Sequence, residues 1–321
     1  MRKIIRIDQQ NPNLFVYWHL TDFCNYKCNY CPSFLNDGQY ATGQKPGFPN
    51  DAEIDTFINK LSDLSKARDL MVVLSGGEPT VHSLFPEILD KLKKLGKVGI
   101  VTNGSRTLNW WRKLTVLPDY ITLSLHPEYV DMKHINQLSK YLIESGALLT
   151  YNLSVDPTNW QLVKTIYDQL EHSYRHRIRY KMLHEFNDNT NKKMFNYTQE
   201  QLDWVKDNFS ESGELFTLSE KETVVYYDDG TSNNSPTLAA EVTMTRKNSF
   251  YDWKCSAGSN GIKVHTDGIV YAGICASQNL GHMTNFELLK EPLTCKLNYC
   301  VGPGDIRLPK YNPTFKDYEN L

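Results

Sequence analysis

Apolar positions along the 321-residue chain fall into two alternating patterns. Strand-length apolar runs occur at Leu14–Leu20, Leu70–Leu74, Val98–Thr102, Tyr120–Leu125, Ala147–Val155 and Arg177–His184. Between them apolar residues recur at helical spacing, as in Ile54, Phe57, Ile58, Leu61 and Leu64, and are expected to be core. Asn50 followed three residues later by Glu53 predicts an N-cap and capping box. Thr198 and Gln201 repeat the device ahead of a helix through Leu202 and Val205 to about Phe209. Six strand–helix units in succession predict an α/β fold with parallel strands and crossover helices, and ligands then gather at the carboxyl ends of the strands. The segment from Pro32 to about Asn50, rich in Gly, Pro, Asn and Gln, is longer than most connections and predicts a functional loop.

The pattern changes in the last third. Ile262 to Tyr271 reads as a hairpin turning at Thr266-Asp267-Gly268. With 40% hydrophobic and 12% aromatic residues the chain can fold as a globule, while a mean hydropathy of -0.49 without a long apolar run predicts no membrane span. Basic and acidic residues number 35 and 37, so no global field gathers nucleic acid. The local run Arg175, His176, Arg177, Arg179 and Lys181 reads as a solvated face. Met1-Arg2-Lys3-Ile4-Ile5-Arg6 leads into Asp8-Gln9-Gln10 without an apolar signal core, and seven cysteines cannot complete a disulfide framework. A cytoplasmic, reducing location is expected; nothing in the sequence sets an oligomeric state.

The densest chemistry is Cys24-x3-Cys28-x2-Cys31, with no further cysteine until Cys255. Three thiolates fall one short of the four irons of a cubane cluster, which leaves one iron open to chelate a small molecule. A zinc site would need a fourth ligand such as His19, which lies on the first predicted strand at an offset unlike usual zinc spacing. Cys255-x19-Cys275-x19-Cys295-x4-Cys300 supplies four more thiols flanking the hairpin. Four cysteines suit either a fully ligated iron–sulfur cluster or a structural zinc ion. His282, between the second and third of them, reads as an ordinary surface or core residue.

The cysteine spacing, Tyr30 just before the third cysteine, and Ser75-Gly76-Gly77-Glu78-Pro79 after the second strand together resemble the radical S-adenosylmethionine (SAM) enzymes. The resemblance implies an open, partial (β/α)6 TIM-like barrel, a 4Fe-4S cluster on Cys24, Cys28 and Cys31, and SAM on the open iron. Reduction would then split SAM to a 5′-deoxyadenosyl radical that abstracts hydrogen from substrate. By the same resemblance Gly76 and Gly77 let backbone approach SAM and Glu78 takes its ammonium. Thr102 and Asn103, in Thr102-Asn103-Gly104, line the site; Ser124 meets the ribose, assisted by Asn152 or Ser154, and Tyr30 lies near the adenine.

The C-terminal cysteines and hairpin resemble a twitch domain, the shorter relative of SPASM, so Cys255, Cys275, Cys295 and Cys300 are expected to bind an auxiliary 4Fe-4S cluster. Here six residues separate Gly268 from Cys275, against about four in the family pattern, through an extra Ala272-Gly273. The expected organisation is a barrel over 1–212, a bridging segment over 213–254 and a small β-hairpin/helix auxiliary domain with its tail over 255–321. A reductant such as flavodoxin or ferredoxin is implied.

Tyr180, His184 and Glu185, together with Tyr226, Tyr227 and Arg246 of the bridge, are candidate pocket residues. The expected reaction is hydrogen abstraction from an activated carbon, foremost the α-carbon of an amino-acid-like group that is free, peptidyl or nucleobase-linked, as in phage DNA-base hypermodification. The radical then rearranges, couples or is oxidised. Dehydrogenation of a small alcohol or sugar, and a zinc-bound nucleic-acid adaptor without catalysis, are the alternatives.

Overall fold

The computed structural model describes residues 2–10, 13–31, 49–186, 192–208, 223–235, 238–244, 247–300 and 302–315, with backbone alone at 184–186, 192–194, 240, 241 and 244. The expected long loop, most of which falls at 32–48, and Arg246 lie outside the described residues. The chain opens with β1 (Ile4–Gln9) and β2 (Leu14–Thr21), then alternates α1 (Asp51–Ser65), β3 (Leu70–Gly76), α2 (Phe85–Lys93), β4 (Lys97–Thr102), α3 (Leu108–Arg112), β5 (Tyr120–Leu125), α4 (Met132–Glu144), β6 (Leu148–Val155), α5 (Trp160–Gln169) and β7 (Ile178–Met182). Strands β2 to β7 pair in parallel in sequence order, which makes the expected six-stranded α/β sheet.

Alternation along each strand gives this sheet two chemically different faces. Leu14, Val16, Trp18 and Leu20 of β2, Leu70, Val72 and Leu74 of β3, and Ile121, Leu123 and Leu125 of β5 turn to the helices and form the main core. Phe57 of α1 is fully buried there, with its ring 5.0 Å from that of Trp18. Burial of one such ring stabilises by about 2–3 kcal/mol. The other face, the barrel lumen, carries Tyr17, Ser75, Thr122, Ser124, Thr150, Asn152 and Ser154. The Tyr17 hydroxyl donates to Ser75 Oγ at 2.9 Å, and Thr122 and Thr150 share a hydroxyl hydrogen bond at 3.0 Å. A polar lumen explains why these parallel strands alternate rather than read as unbroken apolar runs.

Helix starts follow local chemistry. Asn50 and Glu53 form the expected capping box of α1, and Thr198 and Gln201 form that of α6 (Gln199–Asp207), preceded by the short strands β8 (His184–Phe186) and β9 (Lys192–Met194). Phe209, the expected end of that helix, lies outside the described residues. The sixth barrel strand is shorter than the expected Arg177–His184. It stops at Met182, and His184–Phe186 pairs antiparallel with Lys192–Met194 in a separate ribbon. The cause is the Tyr197 hydroxyl, which accepts from Leu183 N at 2.8 Å and donates to Val155 O at 2.7 Å, so it occupies the place of the next ladder bond.

The remaining elements are β10 (Thr223–Tyr227), β11 (Ser232–Asn234), α7 (Leu238–Met244), β12 (Lys254–Cys255), β13 (Gly261–Val264), β14 (Ile269–Ala272), β15 (Asn279–His282), β16 (Leu293–Thr294), α8 (Pro303–Arg307) and β17 (Lys310–Tyr311). The expected hairpin is β13–β14. Gly268 at its turn has φ +80 and donates to His265 O at 3.0 Å. Sheet membership crosses the boundaries expected at 212 and 254. β13 pairs in parallel with β2, so the hairpin and β15 extend the barrel sheet to nine strands. β1 instead joins the six-stranded sheet β11-β10-β1-β17-β12-β16, where it lies between β10 and β17.

Candidate functional site

Cys24, Cys28 and Cys31 lie in the loop that leaves β2, at the carboxyl end of the barrel strands. Cys31 N donates to Cys28 O at 2.9 Å, so the last two thiols share one turn. The loop is tied down on three sides. Gly77 N donates to Thr21 O at 2.7 Å and Glu78 N to Phe23 O at 2.8 Å. Asn103 Nδ2 donates to Asn25 Oδ1 at 2.9 Å and lies 3.8 Å from Cys24 Sγ. From the segment after β5, Glu128 accepts from Asn29 Nδ2 at 2.6 Å and the Tyr129 hydroxyl donates to Lys27 O at 3.0 Å.

The two glycines pack directly against the cysteine loop. A Cβ on Gly76 would lie 2.2 Å from Thr21 O and one on Gly77 2.2 Å from Phe23 O. Their bare backbones make room first for the cysteine loop itself. Gly76 also holds φ +138, a conformation that L side chains rarely adopt.

Glu78 is 1% exposed. Its Oε1 accepts from Thr80 N at 3.0 Å, Thr80 Oγ1 at 2.6 Å and Thr102 Oγ1 at 2.7 Å, and its Oε2 from Asn103 N at 2.6 Å. Burial pushes its carboxyl above the usual range, and these donors oppose that push. The carboxylate therefore locks the ends of β3 and β4 together. Oε2, with one donor, keeps acceptor capacity for a further cation.

Of the remaining expected residues, Tyr30 leans on the end of β5. Its hydroxyl is 2.7 Å from His126 Nδ1 and the two rings are stacked at 6.0 Å. Tyr26 packs edge-on to the same imidazole and stacks on Tyr129 at 4.8 Å. Sequence reasoning missed His126; the available signal was its position one residue beyond the Leu123-Ser124-Leu125 strand end. Burial lowers its pKa to about 4, so the imidazole is neutral at pH 7. Ser124 and Ser154 are buried on the lumen face, and Asn152 stands between them across β5 and β6. Ser154 Oγ makes no hydrogen bond among the described residues.

Tyr180 is not a lumen residue. Strand alternation turns it to the helices, where its hydroxyl donates to Asn208 O at 3.1 Å and its ring lies 5.9 Å from Trp204. Its neighbours Arg179 and Lys181 register with Asn152 and Ser154 and share their face. Lys263 of β13, opposite Tyr17, adds a third lumen cation. Each of the three already interacts with another group of the chain. The side chains of His184 and Glu185 lie outside the described residues. Tyr226 and Tyr227 are on β10, paired with β1 and away from the lumen.

The second thiol set also converges. Cys255, Cys275, Cys295 and Cys300 line one cavity with Phe250, Asp305 and Lys310. They reach it from β12, from the bend after β14 and from the segment after β16. Asp305 and Lys310 were not foreseen.

All seven cysteines are free of disulfides. Burial raises the Cys24 thiol to about 11, with Glu78 and Cys31 adding to the push, and the Cys28 thiol to about 12, with Cys24 and Cys31 adding to it. Such thiols ionise readily only against a bound cation, so the donor chemistry fits an iron–sulfur group. Among the described residues no three His, Cys, Asp or Glu side chains converge on a single ion position. A cube asks less convergence, since each thiolate binds its own iron. His19 is buried on the lumen side beside His265, five residues before Cys24.

GTP 3′,8-cyclase of Psychromonas ingrahamii is 36% identical over 88 residues, 26% of this chain and 24% of that protein. An S-adenosylmethionine-dependent nucleotide dehydratase of Psychrobacter lutiphocae is 33% identical over 111 residues, 31% of this chain and 35% of that protein. The chain thus spans about a quarter to a third of the length of these curated relatives. The solved structure of native anSMEcpe with bound AdoMet, 14% identical, superposes with a TM-score of 0.53 over 85% of this chain and 79% of its own; it shows the shared fold. The family model described as Radical SAM superfamily matches residues 18–138, from β2 through most of α4, the span that holds the cysteine loop, the glycine pair, Glu78, Asn103 and His126. Residues 18–138 are a radical SAM domain.

Proposed function

We propose that the chain is a cytoplasmic radical SAM enzyme that abstracts a hydrogen atom from an activated carbon of an anionic small molecule bearing an amino-acid-like or nucleotide group. The observation that carries this reading is the three-thiol loop clamped between Gly77, Glu78 and Asn103 at the mouth of a polar lumen. Cys24, Cys28 and Cys31 would hold a 4Fe-4S cluster, which would supply, once reduced by a flavodoxin or ferredoxin, the electron for reductive cleavage of SAM to a 5′-deoxyadenosyl radical.

The chain's own residues bind and orient. Glu78 Oε2 is the acceptor for the ammonium of SAM, with Thr102 fixing the carboxylate's other oxygen. Tyr30 and neutral His126 form a flat, uncharged wall for an adenine. Ser124, Asn152 and Ser154 offer hydroxyl and amide groups to a ribose. Arg179, Lys181 and Lys263 make the lumen positive, which favours an anionic substrate. The names of the relatives, a GTP cyclase and a nucleotide dehydratase, support a nucleotide as that anion.

The four C-terminal cysteines, gathered on one cavity, are the proposed ligands of an auxiliary 4Fe-4S cluster. Anoxic reconstitution should give two cubes' worth of iron and sulfide, and reduction should release 5′-deoxyadenosine. Cys28→Ala should abolish that release. Deuterium carried from labelled amino-acid and nucleotide candidates into 5′-deoxyadenosine, followed by mass spectrometry, identifies the abstracted hydrogen. Colourless protein that holds zinc without sulfide, and releases no deoxyadenosine, would sink the reading. Transfer from a labelled alcohol or sugar alone would favour the dehydrogenase alternative.

A further inference from the structure

The cavity lined by Cys255, Cys275, Cys295 and Cys300 has a charged wall that the proposed reaction does not use. Lys310, on β17, is 3% exposed and Asp305, in α8, is 2% exposed. Lys310 Nζ donates to the carbonyl oxygens of Asp305 and Ile306, the second at 3.1 Å, and lies 4.7 Å from the centre of the Phe250 ring. These partners are neutral, whereas a lysine head taken out of water calls for opposite charge nearby. The Asp305 carboxylate is near enough to interact with Lys310 electrostatically, but its hydrogen bonds go elsewhere. It accepts from Ile274 N at 2.8 Å and Cys275 N at 2.6 Å, which fixes the bend that carries Cys275. The bend is closed around it: Gly273 holds φ +67, and a Cβ there would lie 3.1 Å from both Asp305 Oδ1 and Cys275 Sγ.

Four thiolates around an oxidised cube leave a net dianion, and one-electron reduction makes it a trianion. A fixed positive charge at the cavity wall stabilises the more negative state, and a fixed negative charge opposes it. Both effects grow where water is excluded, as it is around two side chains this buried.

We propose that Lys310 and Asp305 are positioning residues that set the reduction potential of the auxiliary cluster, Lys310 raising it and Asp305 lowering it while holding Cys275 in place. The inference rests on the reading of the four cysteines as cluster ligands.

The test is an anoxic potentiometric titration of the full chain with both clusters reconstituted and SAM absent, read by electron paramagnetic resonance. The N-terminal cluster serves as internal reference. Lys310→Met is expected to shift the auxiliary reduction equilibrium toward the oxidised form by at least about tenfold, which is 59 mV for one electron. Asp305→Asn, nearly isosteric, is expected to shift it the other way. The N-terminal midpoint should stay put in both variants. Two clusters with unmoved auxiliary midpoints, or shifts of the same sign in both variants, would overturn the proposal while leaving the cluster reading intact. If Lys310→Met fails to fold, the sign of the Asp305→Asn shift decides alone. Metal analysis comes first: zinc, or iron and sulfide for one cube only, overturns the cluster reading and the inference with it.

Discussion

Glu78 and Lys310 are both buried charges, and the fold treats them in opposite ways. Glu78 collects four donors from its own chain and so serves as a structural knot between β3 and β4. Lys310 meets carbonyl oxygens and lines one cavity with four thiols, so its charge acts on whatever those thiols hold. Only the first was legible in the sequence, because Glu78 sits inside a recognisable run while Lys310 is a lone lysine after Pro309. The glycine pair was legible in position, but its packing against the cysteine loop was not. Since a Cβ on Gly77 meets the carbonyl of Phe23 at 2.2 Å and backbone cannot yield as a side chain can, Gly77→Ala should displace the cysteine loop. A cost of roughly 2–4 kcal/mol is expected, read as a lower urea midpoint, with iron incorporation reduced in the same samples. A wild-type midpoint with full iron content would contradict the packing role assigned to this glycine.

At the scale of elements, the barrel strands announce themselves because each has an apolar run facing the helices. β1 does not, since its two-residue period is blurred at both ends, by apolar Ile4 on the less buried face and by polar Gln9 at a buried position, which leaves only Ile5 and Ile7 to carry it. The end of β7 was also hidden. No periodicity signals that a tyrosine from a later segment will take over the ladder bond between Val155 and Leu183. Tyr197→Phe removes that bridge and leaves Val155 O and Leu183 N without it. The expected loss is about 1–2 kcal/mol, seen locally as faster amide exchange at Leu183 by roughly tenfold or more. Unchanged exchange at that amide would show that the strand ends for another reason.

For the whole molecule, the two sheets are tied by chain segments far apart in sequence. β1 lies between β10 and β17, and β13 seals the β2 edge of the barrel sheet. That second junction brings Lys263 and His265 to the lumen beside His19, whose Nδ1 has no hydrogen-bond partner among the described residues. Burial chiefly, and then the charges of Lys263 and His265, lower the pKa of His19 from 6.5 to about 3. Its folded-state pKa is depressed, so the unfolded chain takes up the proton first as pH falls. The stability contributed by neutral His19 is therefore complete above about pH 6.5 and is lost progressively as pH falls through that value toward 3. Between pH 6.5 and 4.5 the loss from this one group amounts to roughly 2–3 kcal/mol. His19→Gln cannot titrate and should flatten that part of the curve, bringing the urea midpoints at pH 6.5 and 4.5 closer together than in the parent protein. Parallel pH profiles for the two proteins would mean that the lumen admits the proton without penalty, and that β13 does not isolate it from water.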